Sequence, residues 1–236
     1  MGNPTRLLIH GAGGRMGQAL LRTCMERDDC RVVAAVSASQ PSQRVIDGVP
    51  HFAAAELGGA PEFDVAIDFS LPAGFDAILA ACLARDAGLV SGTTGLSEAQ
   101  HAALRDAGGR IGVLWSANFS LGVALLEELV ERAAGALPGW DCDIVEMHHA
   151  RKQDAPSGTA LALGAAAGKA GVHPRYASLR AGDIVGEHLV QFTTEGERIE
   201  LAHRAGNRDI FARGAVHAAL ALAGRPPGVL RLRDLL

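Results

Sequence analysis

Short apolar segments alternate with longer amphipathic segments through the first half of the chain. Strands that are apolar along their whole length are typical of sheets buried on both faces, so this alternation predicts a parallel β-sheet covered by helices. The predicted strands span 6–10, 31–36, 64–69, 89–91 and 111–115, and the predicted helices span 16–27, 72–85 and 97–107. Pro72 in a first turn, and Ser97 three residues before Gln100 as a capping box, indicate two of the helix starts.

The pattern changes after Asn118. A long helix is predicted over Leu121–Ala136, followed by strands at 143–147, 189–194 and 198–203, with a helix at 157–170 after the first of these strands. The turn at Glu195 and Gly196 predicts an antiparallel hairpin. A last helix over 210–223 would return the chain to the first sheet.

These elements predict an α/β protein with two domains. A Rossmann-like, doubly wound parallel sheet over 1–118 and 209–236 would form a dinucleotide-binding domain. Residues 119–208 would form a smaller α+β domain with a mixed or antiparallel sheet.

Composition excludes several functional classes. The chain has 236 residues, 48% hydrophobic and 20% charged, so it can bury a core and intrinsic disorder is excluded. Its 22 basic and 26 acidic residues are interspersed and give a formal net charge of -4. That charge creates no field that would concentrate nucleic acid or an anionic membrane, and we expect neither as a partner.

The cysteines and the apolar segments indicate in which cellular compartment we expect the protein. None of the four cysteines belongs to a CxxC pair or lies near a histidine at metal-ligand spacing, which favours a reduced, cytoplasmic protein. The first residues lack a basic segment followed by a long apolar one, and no run of 18 apolar residues occurs. Neither a signal peptide nor a membrane span is predicted.

A glycine-rich turn, GAGGRMG over 11–17, joins the first predicted strand to the first helix. Glycine permits a tight turn and a close approach of the backbone, and the N–H groups of a helix start face an anion, so the segment predicts a dinucleotide pyrophosphate site. Met16 occupies the third glycine position of GxGxxG, and the turn alone is also compatible with a connection that binds no ligand. Its position between a strand and a helix favours nucleotide binding.

The end of the second predicted strand bears on the choice of cofactor. A carboxylate about 20 residues after the glycine turn would bind the adenosine ribose 2′-hydroxyl. This chain has Ser37 there, with Arg44 downstream. A hydroxyl and a guanidinium tolerate a 2′-phosphate better than an acid does, which favours NADPH, or use of both NADPH and NADH.

Two more segments follow predicted strands, GTTG over 92–95 and SANF over 116–119. Ligands of such sheets bind at the carboxyl ends of the strands. Each segment alone is compatible with an ordinary loop, whereas their shared position at the predicted ligand edge favours a binding role for both.

The densest group of reactive side chains lies in EMHHARKQDAPSGTA over 146–160. His148, His149 and Lys152 supply proton donors and a fixed cation immediately before a helix start. The following Ser157, Gly158 and Thr159 can present amides and a hydroxyl to a carboxylate. This combination suits an anionic substrate that receives a proton.

Other interpretations of the same segment stay open. Adjacent histidines on a strand point to opposite faces, so His148 and His149 share a ligand only if the strand has ended. A metal site of these two residues and Asp154 is disfavoured, because adjacent histidines seldom chelate one ion, and we expect no metal. Pro156 and Gly158 are also ordinary helix-start residues.

Taken together, these segments resemble the dihydrodipicolinate reductase family, the 4-hydroxy-tetrahydrodipicolinate reductases, over nearly the whole chain. The matching segments are GAGGRMG (11–17), DFS (68–70), GTTG (92–95), ANFS (117–120), HHARKQDAPSGTA (148–160) and RAGDIVGEH (180–188). The segment over 148–160 is specific to that family, whereas the glycine turn is not.

The resemblance implies NAD(P)H-dependent reduction of 4-hydroxy-tetrahydrodipicolinate to tetrahydrodipicolinate, with loss of water, in the diaminopimelate route of lysine biosynthesis. It implies that hydride is added at C4 of the dehydrated ring, that His148 and Lys152 transfer protons, and that His149, Gly158 and Thr159 hold the dicarboxylate. The domain over 119–208 would bind this substrate and form a homotetramer. The nucleotide would contact Gly11, Ala12, Gly13, Gly14, Arg15, Met16, Ser37, Gly92, Thr93, Thr94, Ser116, Ala117, Asn118 and Phe119.

The chain departs from the family pattern in two places. Ser37 stands where members that favour NADH have an acid, and the segment over 171–180 is short for the family. Two alternative functions also stay open, namely another two-domain NAD(P) dehydrogenase of the aspartate or homoserine type, and a nucleotide-sensing module without catalysis.

Overall fold

The computed structural model describes residues 3–236. Its strands are β1 (Thr5–His10), β2 (Cys30–Ser37), β3 (Val45–Ile46), β4 (Val49–Ala53), β5 (Val65–Asp68), β6 (Gly88–Ser91), β7 (Gly112–Trp115), β8 (Asp141–His148), β9 (Arg175–Arg180), β10 (Glu187–Thr194), β11 (Glu197–Arg204) and β12 (Gly228–Leu230). Its α-helices are α1 (Arg15–Met25), α2 (Pro72–Ala84), α3 (Glu98–Ala107), α4 (Leu121–Ala136), α5 (Gly158–Gly168) and α6 (Asp209–Leu222). None of these helices is both long and apolar enough to cross a membrane.

One compact unit comprises the chain up to Phe119 together with Phe211–Leu235. Its eight-stranded sheet has the order β12-β7-β6-β5-β1-β2-β4-β3. All neighbouring strands are parallel except β3 and β4. The strand order reverses at β1, which pairs with β2 on one side and with β5 on the other. Ligands of open α/β sheets bind at the carboxyl ends of the strands beside such a reversal.

One buried cluster of this unit lies between the sheet and helices α2 and α3. Leu8 of β1 and Leu89 of β6 pack in one buried cluster with Phe75 of α2 and Leu104 of α3. The parallel strands are buried on both faces, as their continuous apolar sequences predict: every residue of β5 is buried. The carboxyl ends of the strands are thereby held in fixed positions.

The second compact unit comprises Ser120–Ile210. Its four-stranded sheet has the order β11-β10-β8-β9, in which β8 and β9 are parallel and the other pairs antiparallel. Helices α4 and α5 pack on the sheet, with Val130 and Leu163 meeting Ile144 and Phe192 in a buried cluster. This is the predicted smaller unit with a mixed sheet.

Most predicted elements are present with shifts of a few residues at their ends. The helix over Leu121–Ala136 is found with those bounds, the β10–β11 hairpin turns at Gly196 with φ of +84°, and Ser97 and Gln100 form the predicted capping box. The sequence patterns did not indicate β3, β4, β9 or β12. Strand β9 lies within the short segment over 171–180 and exposes five of its six residues, so it lacks the apolar pattern of a buried strand.

Candidate active site

The glycine turn lies at the carboxyl ends of β1, β2 and β5. The N–H groups of Gly11 and Ala12 both donate to the Val36 carbonyl oxygen at 2.9 Å, which ties the turn to β2. Gly11 has φ of +83°, and a Cβ there would lie 2.4 Å from the Phe69 carbonyl oxygen. A Cβ at Gly17 would lie 2.3 Å from the Gly11 carbonyl oxygen. Both positions therefore require glycine for steric reasons.

The start of α1 faces this turn without a capping side chain. Its N-cap is Gly14, which has no side chain to satisfy the N–H groups of the first turn. Gly13 and Arg15 are exposed, whereas Met16 is half-buried and Ala12 fully buried. The N–H groups of a helix start that has no capping side chain are suited to an anion, so this segment fits the diphosphate of a nicotinamide dinucleotide.

A buried carboxylate organises the loops beside the turn. Asp68, at the end of β5, lies 2.8 Å from His10 Nδ1 and accepts hydrogen bonds from the hydroxyls of Ser91 and Thr93, each at 2.8 Å. Burial raises the pKa of Asp68, but the hydrogen bonds from His10, Ser70 and Thr93 outweigh it, and the net shift is downward. The Thr93 hydroxyl thus holds the GTTG loop in place, whereas Thr94 is exposed.

The other predicted cofactor loops differ in what they offer a ligand. A Cβ at Gly92 would lie 2.3 Å from the Phe69 ring, so that loop packs closely on its neighbour. Phe119 is buried, with its ring centroid 5.4 Å from that of Phe69. The Ser116 hydroxyl donates to the Asn118 carbonyl oxygen at 2.6 Å. Ala117 is exposed at the tip of this loop.

The end of β2 carries the residues that bear on cofactor choice. Ser37 lies beside the glycine turn, since a Cβ at Gly13 would be 3.2 Å from its Oγ. Arg44 makes a bidentate ion pair with Glu56, at 2.6 and 2.9 Å. Glu56 also accepts a hydrogen bond from the N–H of Ala53, the residue paired with Ser37 across β2 and β4. The Arg44 guanidinium is therefore held beside the end of β2.

In the second unit, His148 is the last residue of β8 and is buried. Its Nδ1 lies 2.5 Å from Oε2 of Glu146, a fully buried carboxylate two residues earlier on the same strand. Arg180, at the end of β9, donates to both oxygens of that carboxylate at 2.9 and 2.7 Å. His188 stacks edge-on against His148 with ring centroids 5.2 Å apart.

His149 and Lys152 follow in the turn after β8. The strand ends at His148, so His149 is not held to the opposite face of the sheet and lies 3.4 Å from Arg208 through Nε2. Lys152 Nζ donates to both carboxylate oxygens of Asp154 at 2.7 and 2.8 Å. This ion pair lowers the pKa of Asp154. The Lys152 side chain is only 22% exposed, which restricts its position. In sequence it lies close to the two histidines.

Helix α5 begins immediately after this turn. Its N-cap Ser157 accepts a hydrogen bond from the N–H of Ala160 at 3.2 Å, and its own N–H donates to Glu146 at 3.2 Å. Gly158 is exposed and Thr159 half-buried in the first turn. Gly158 and Thr159, which the sequence predicts to bind substrate, thus lie at the same end of the small sheet as the hydrogen-bonded pair of His148 and Glu146. No group of three His, Cys, Asp or Glu side chains within 3–236 is arranged to hold a metal ion.

Two family patterns account for nearly the whole chain. "Dihydrodipicolinate reductase, N-terminus" matches residues 5–119, and "Dihydrodipicolinate reductase, C-terminus" matches residues 122–236. The chain belongs to the dihydrodipicolinate reductase family. The predicted family resemblance is thereby confirmed.

Relatives with a high sequence identity agree with this membership. A 4-hydroxy-tetrahydrodipicolinate reductase of Xanthomonas campestris pv. campestris (strain B100) is 69% identical over 233 residues, covering 99% of this chain and 98% of the relative. That of Xylella fastidiosa (strain 9a5c) is 64% identical and covers 98% of each. These relatives confirm the predicted class of reductase in lysine biosynthesis.

Solved structures confirm the predicted fold. A dipicolinate-bound dihydrodipicolinate reductase from Paenisporosarcina sp. TG-14 superimposes with a TM-score of 0.85 at 24% identity, covering 99% of this chain and 100% of that one. A diaminopimelate (DAP) dehydrogenase from C. glutamicum, in complex with DAP, gives a TM-score of 0.56 at 12% identity, with 99% and 94% coverage. At these identities the likeness concerns the fold alone.

Sequence reasoning did not single out Glu146, Arg180, His188 or Asp68 as site residues. Glu146 had a detectable signal, because residues i and i+2 of a strand share a face and place it beside His148. His188 and Arg180 are far from that strand in sequence and reach it only through the pairing of β10 and β9 with β8.

Proposed function

We propose that this chain catalyses the NAD(P)H-dependent reduction of 4-hydroxy-tetrahydrodipicolinate to tetrahydrodipicolinate. Membership of the reductase family and the names of its relatives support the reaction. The observation that carries the proposal at the level of residues is that the buried Glu146 carboxylate contacts both His148 and the N–H of Ser157, the N-cap of the helix whose first turn holds Gly158 and Thr159. This arrangement provides a proton donor next to N–H groups suited to a carboxylate.

We propose that the first unit binds the cofactor. The glycine turn and the uncapped start of α1 fit the diphosphate, while Gly92, Thr93 and Thr94 and the segment from Ser116 through Ala117 and Asn118 to Phe119 follow β6 and β7 at the same edge of the sheet. When bound, the reduced nicotinamide supplies the hydride that is added at C4 of the dehydrated ring.

We propose that the second unit binds the dicarboxylate and transfers protons. His149 and the first turn of α5, with Gly158 and Thr159, would hold the carboxylates. His148 and Lys152 would supply the proton that accompanies the hydride. The balance is then complete: the substrate loses water, gains one hydride and one proton, and leaves His148 or Lys152 deprotonated until solvent restores the proton.

We propose that the cofactor is NADPH, or either of NADPH and NADH. Ser37 brings no carboxylate to the end of β2, and the Arg44 guanidinium lies beside that strand in its pair with Glu56. If Arg44 contacts a 2′-phosphate, Arg44→Ala raises the KM for NADPH about tenfold and leaves the KM for NADH unchanged. Equal effects on both cofactors would contradict this role.

The reaction itself is tested by mixing the protein with freshly generated 4-hydroxy-tetrahydrodipicolinate and either cofactor. We expect the absorbance of the reduced nicotinamide to fall only when substrate is present. Absence of oxidation with both cofactors would overturn the proposal. Turnover of aspartate or homoserine, with little effect of Lys152→Ala, would instead support the second candidate class.

We also propose a cytoplasmic homotetramer built through the second unit. The face of its sheet opposite α4 and α5 carries Val145 and Met147 of β8, Leu179 of β9 and Leu189 of β10, and none of these apolar side chains is buried, which is unusual for a solvated sheet face. Sedimentation at the mass of four chains is the expected result, and sedimentation as a single chain would contradict it.

A further inference from the structure

We infer that Glu146 is a positioning residue for His148: its buried carboxylate keeps a proton on Nδ1 and so reserves Nε2 for exchanging a proton with the substrate. The inference rests on the proposed role of His148 as a proton donor. It concerns a residue that lies outside the turn and the helix start proposed to contact substrate.

Residues of three strands, β8, β9 and β10, fix the position of the Glu146 side chain. Glu146 lies on β8 opposite Ser178 of β9 and opposite His188 of β10, and its side chain is fully buried. Arg180 donates to both of its oxygens, and the Ser157 N–H donates to Oε1. His148 Nδ1 meets Oε2 at 2.5 Å. The carboxylate is therefore surrounded by donors.

Glu146 stays ionised in this setting. Burial raises its pKa, but hydrogen bonds from Arg180, Ser178 and His148 outweigh burial and lower the pKa to about 2. An ionised carboxylate only accepts hydrogen bonds, and guanidinium only donates them. A close contact between this carboxylate and His148 therefore requires a proton on Nδ1.

The opposite nitrogen of His148 faces Gly186. A Cβ at Gly186 would lie 3.1 Å from Nε2, so glycine keeps a side chain from crowding that nitrogen. The His188 ring packs against His148, and burial lowers the pKa of His188 to about 4, so it stays neutral there. The other charged groups close in sequence are Arg151, Lys152 and Asp154, of which Lys152 and Asp154 pair with each other.

The ionised Glu146 carboxylate and the proton on His148 Nδ1 define how the proton transfer proceeds. The transfer uses the imidazolium form of His148, which has protons on both nitrogens and directs its Nδ1–H at the Glu146 carboxylate. The Nε2–H bond breaks, the proton forms a new bond to the substrate ring that has received the hydride, and the imidazole is left neutral with its proton on Nδ1. Reprotonation of Nε2 from solvent restores the starting state.

Glu146→Gln provides a sharp test because an amide has one oxygen and one NH2. Arg180 and the Ser157 N–H are donors and take the oxygen at the position of Oε1. The NH2 then faces His148 Nδ1, which must become an acceptor. The neutral ring is expected to switch from the Nδ1–H to the Nε2–H tautomer, in which the reactive nitrogen is a weak acid.

The tautomer is measured by two-bond nitrogen–proton NMR of the imidazole rings in the whole protein, with His148→Gln to assign the signals. At a pH at which the ring is neutral, we expect His148 as Nδ1–H in the unsubstituted protein and as Nε2–H in Glu146→Gln. We expect kcat of Glu146→Gln to fall roughly 100-fold while the KM for substrate changes by less than about threefold, because the altered group acts in the chemical step.

Asp143→Asn is the matched control. It replaces the carboxylate of an exposed Arg–carboxylate pair between the same two strands, in which Arg175 Nε lies 2.6 Å from Asp143, and it leaves His148 untouched. Its kcat and the His148 tautomer should both be unchanged.

An Nε2–H tautomer in the unsubstituted protein would overturn the inference, and that measurement needs no variant to fold. A raised KM with unchanged kcat in Glu146→Gln would also overturn it. Failure of the proposed function is recognised separately, since it would abolish turnover of the unsubstituted protein whatever the tautomer.

Discussion

The two adjacent histidines have different surroundings because β8 ends between them. His148 is still part of the strand and points to the buried face that carries Glu146. His149 belongs to the following turn, where burial, followed by the nearby charges of Arg208 and Arg151, lowers its pKa. Sequence alone predicts opposite faces for neighbours on a strand, and the end of the strand removes that constraint.

Loss of either proton donor should reduce turnover more than affinity. We expect His148→Gln and Lys152→Ala each to lower kcat roughly 100-fold with a small change in the KM for substrate, since general acid catalysis acts on the chemical step. Steady-state kinetics with both substrates measures this split.

Matched controls exist for both substitutions. Lys169, whose exposed ammonium pairs with Glu131, is the other lysine of the chain, and His173 is an exposed histidine outside the site. Lys169→Ala and His173→Gln should keep full activity. Unchanged kcat in Lys152→Ala would show that the lysine has no part in proton transfer.

Thr159 should contribute mainly to substrate affinity. Valine has the shape of threonine without the hydroxyl, so Thr159→Val removes one hydrogen bond to a carboxylate and should raise the KM about tenfold with kcat nearly unchanged. Thr194→Val, at the exposed end of the β10–β11 hairpin, is the control and should leave both constants unchanged. A loss confined to kcat would assign Thr159 a different role.

At the scale of elements, the start of α1 depends on the close approach of Gly17 to the Gly11 carbonyl oxygen. Alanine at Gly17 would place Cβ 2.3 Å from the Gly11 carbonyl oxygen, so Gly17→Ala must displace the turn. We expect it to destabilise the protein by about 1–3 kcal/mol and to weaken cofactor binding. Chemical denaturation and cofactor titration measure the two effects.

Gly135 provides the opposite case within a helix. It lies in α4, is exposed, and has nothing within 4 Å of an added Cβ. Gly135→Ala should therefore stabilise the protein by about 0.5–1 kcal/mol through the lower entropy of the unfolded chain, with unchanged cofactor binding. Equal effects at the two glycines would contradict the steric argument.

The packing of β8, α5 and β10 predicts a pH dependence of stability. His188 is buried, with Nε2 3.1 Å from the Ser157 hydroxyl, and burial together with nearby His148 lowers its pKa to about 4. The unfolded chain takes up a proton near pH 6.5, whereas the folded chain resists doing so until about pH 4. The stability that neutral His188 contributes is thus present above pH 6.5 and is lost as pH falls toward 4, by roughly 3 kcal/mol.

His188→Gln should remove this part of the pH dependence. The free energy of unfolding of the unsubstituted protein should fall more steeply between pH 6.5 and 4 than that of the variant. Carboxylates titrate in both proteins, so the difference between the two slopes isolates His188. Parallel slopes would contradict the buried, neutral state, and His173→Gln should retain the steep slope.

The elements that sequence predicted are those with strong local signals. Helix α4 has apolar periodicity over its whole length, and Ser97 with Gln100 specifies the start of α3 through local hydrogen bonds. Strands β9 and β12 have no comparable signal. They form because a neighbouring strand, β8 or β7, offers a free edge to pair with.

At the scale of the whole molecule, we expect the two ligands to protect different units from hydrogen exchange. NADPH should slow exchange of backbone amides in 11–17, where its diphosphate would bind N–H groups, and in 92–95, which follows β6 at the same edge of the sheet in the first unit. A planar pyridine dicarboxylate should slow exchange in 148–160, within the second unit. Hydrogen–deuterium exchange with mass spectrometry measures both protection patterns. Protection of the same segments by both ligands would contradict the assignment of the cofactor to the first unit and of the dicarboxylate to the second.

The sequence by itself determined the local chemistry of this protein: the glycine turn before α1, the alternation of strands and helices, and the run of histidine, lysine and helix-start residues after β8. These features depend on residues within about one turn or one strand of each other. Only the tertiary structure decided that Arg180 and Ser157 surround Glu146, that Asp68 holds His10 and Thr93, and that Arg44 pairs with Glu56. Such partners are brought together by strand pairing and loop packing, which no local pattern records.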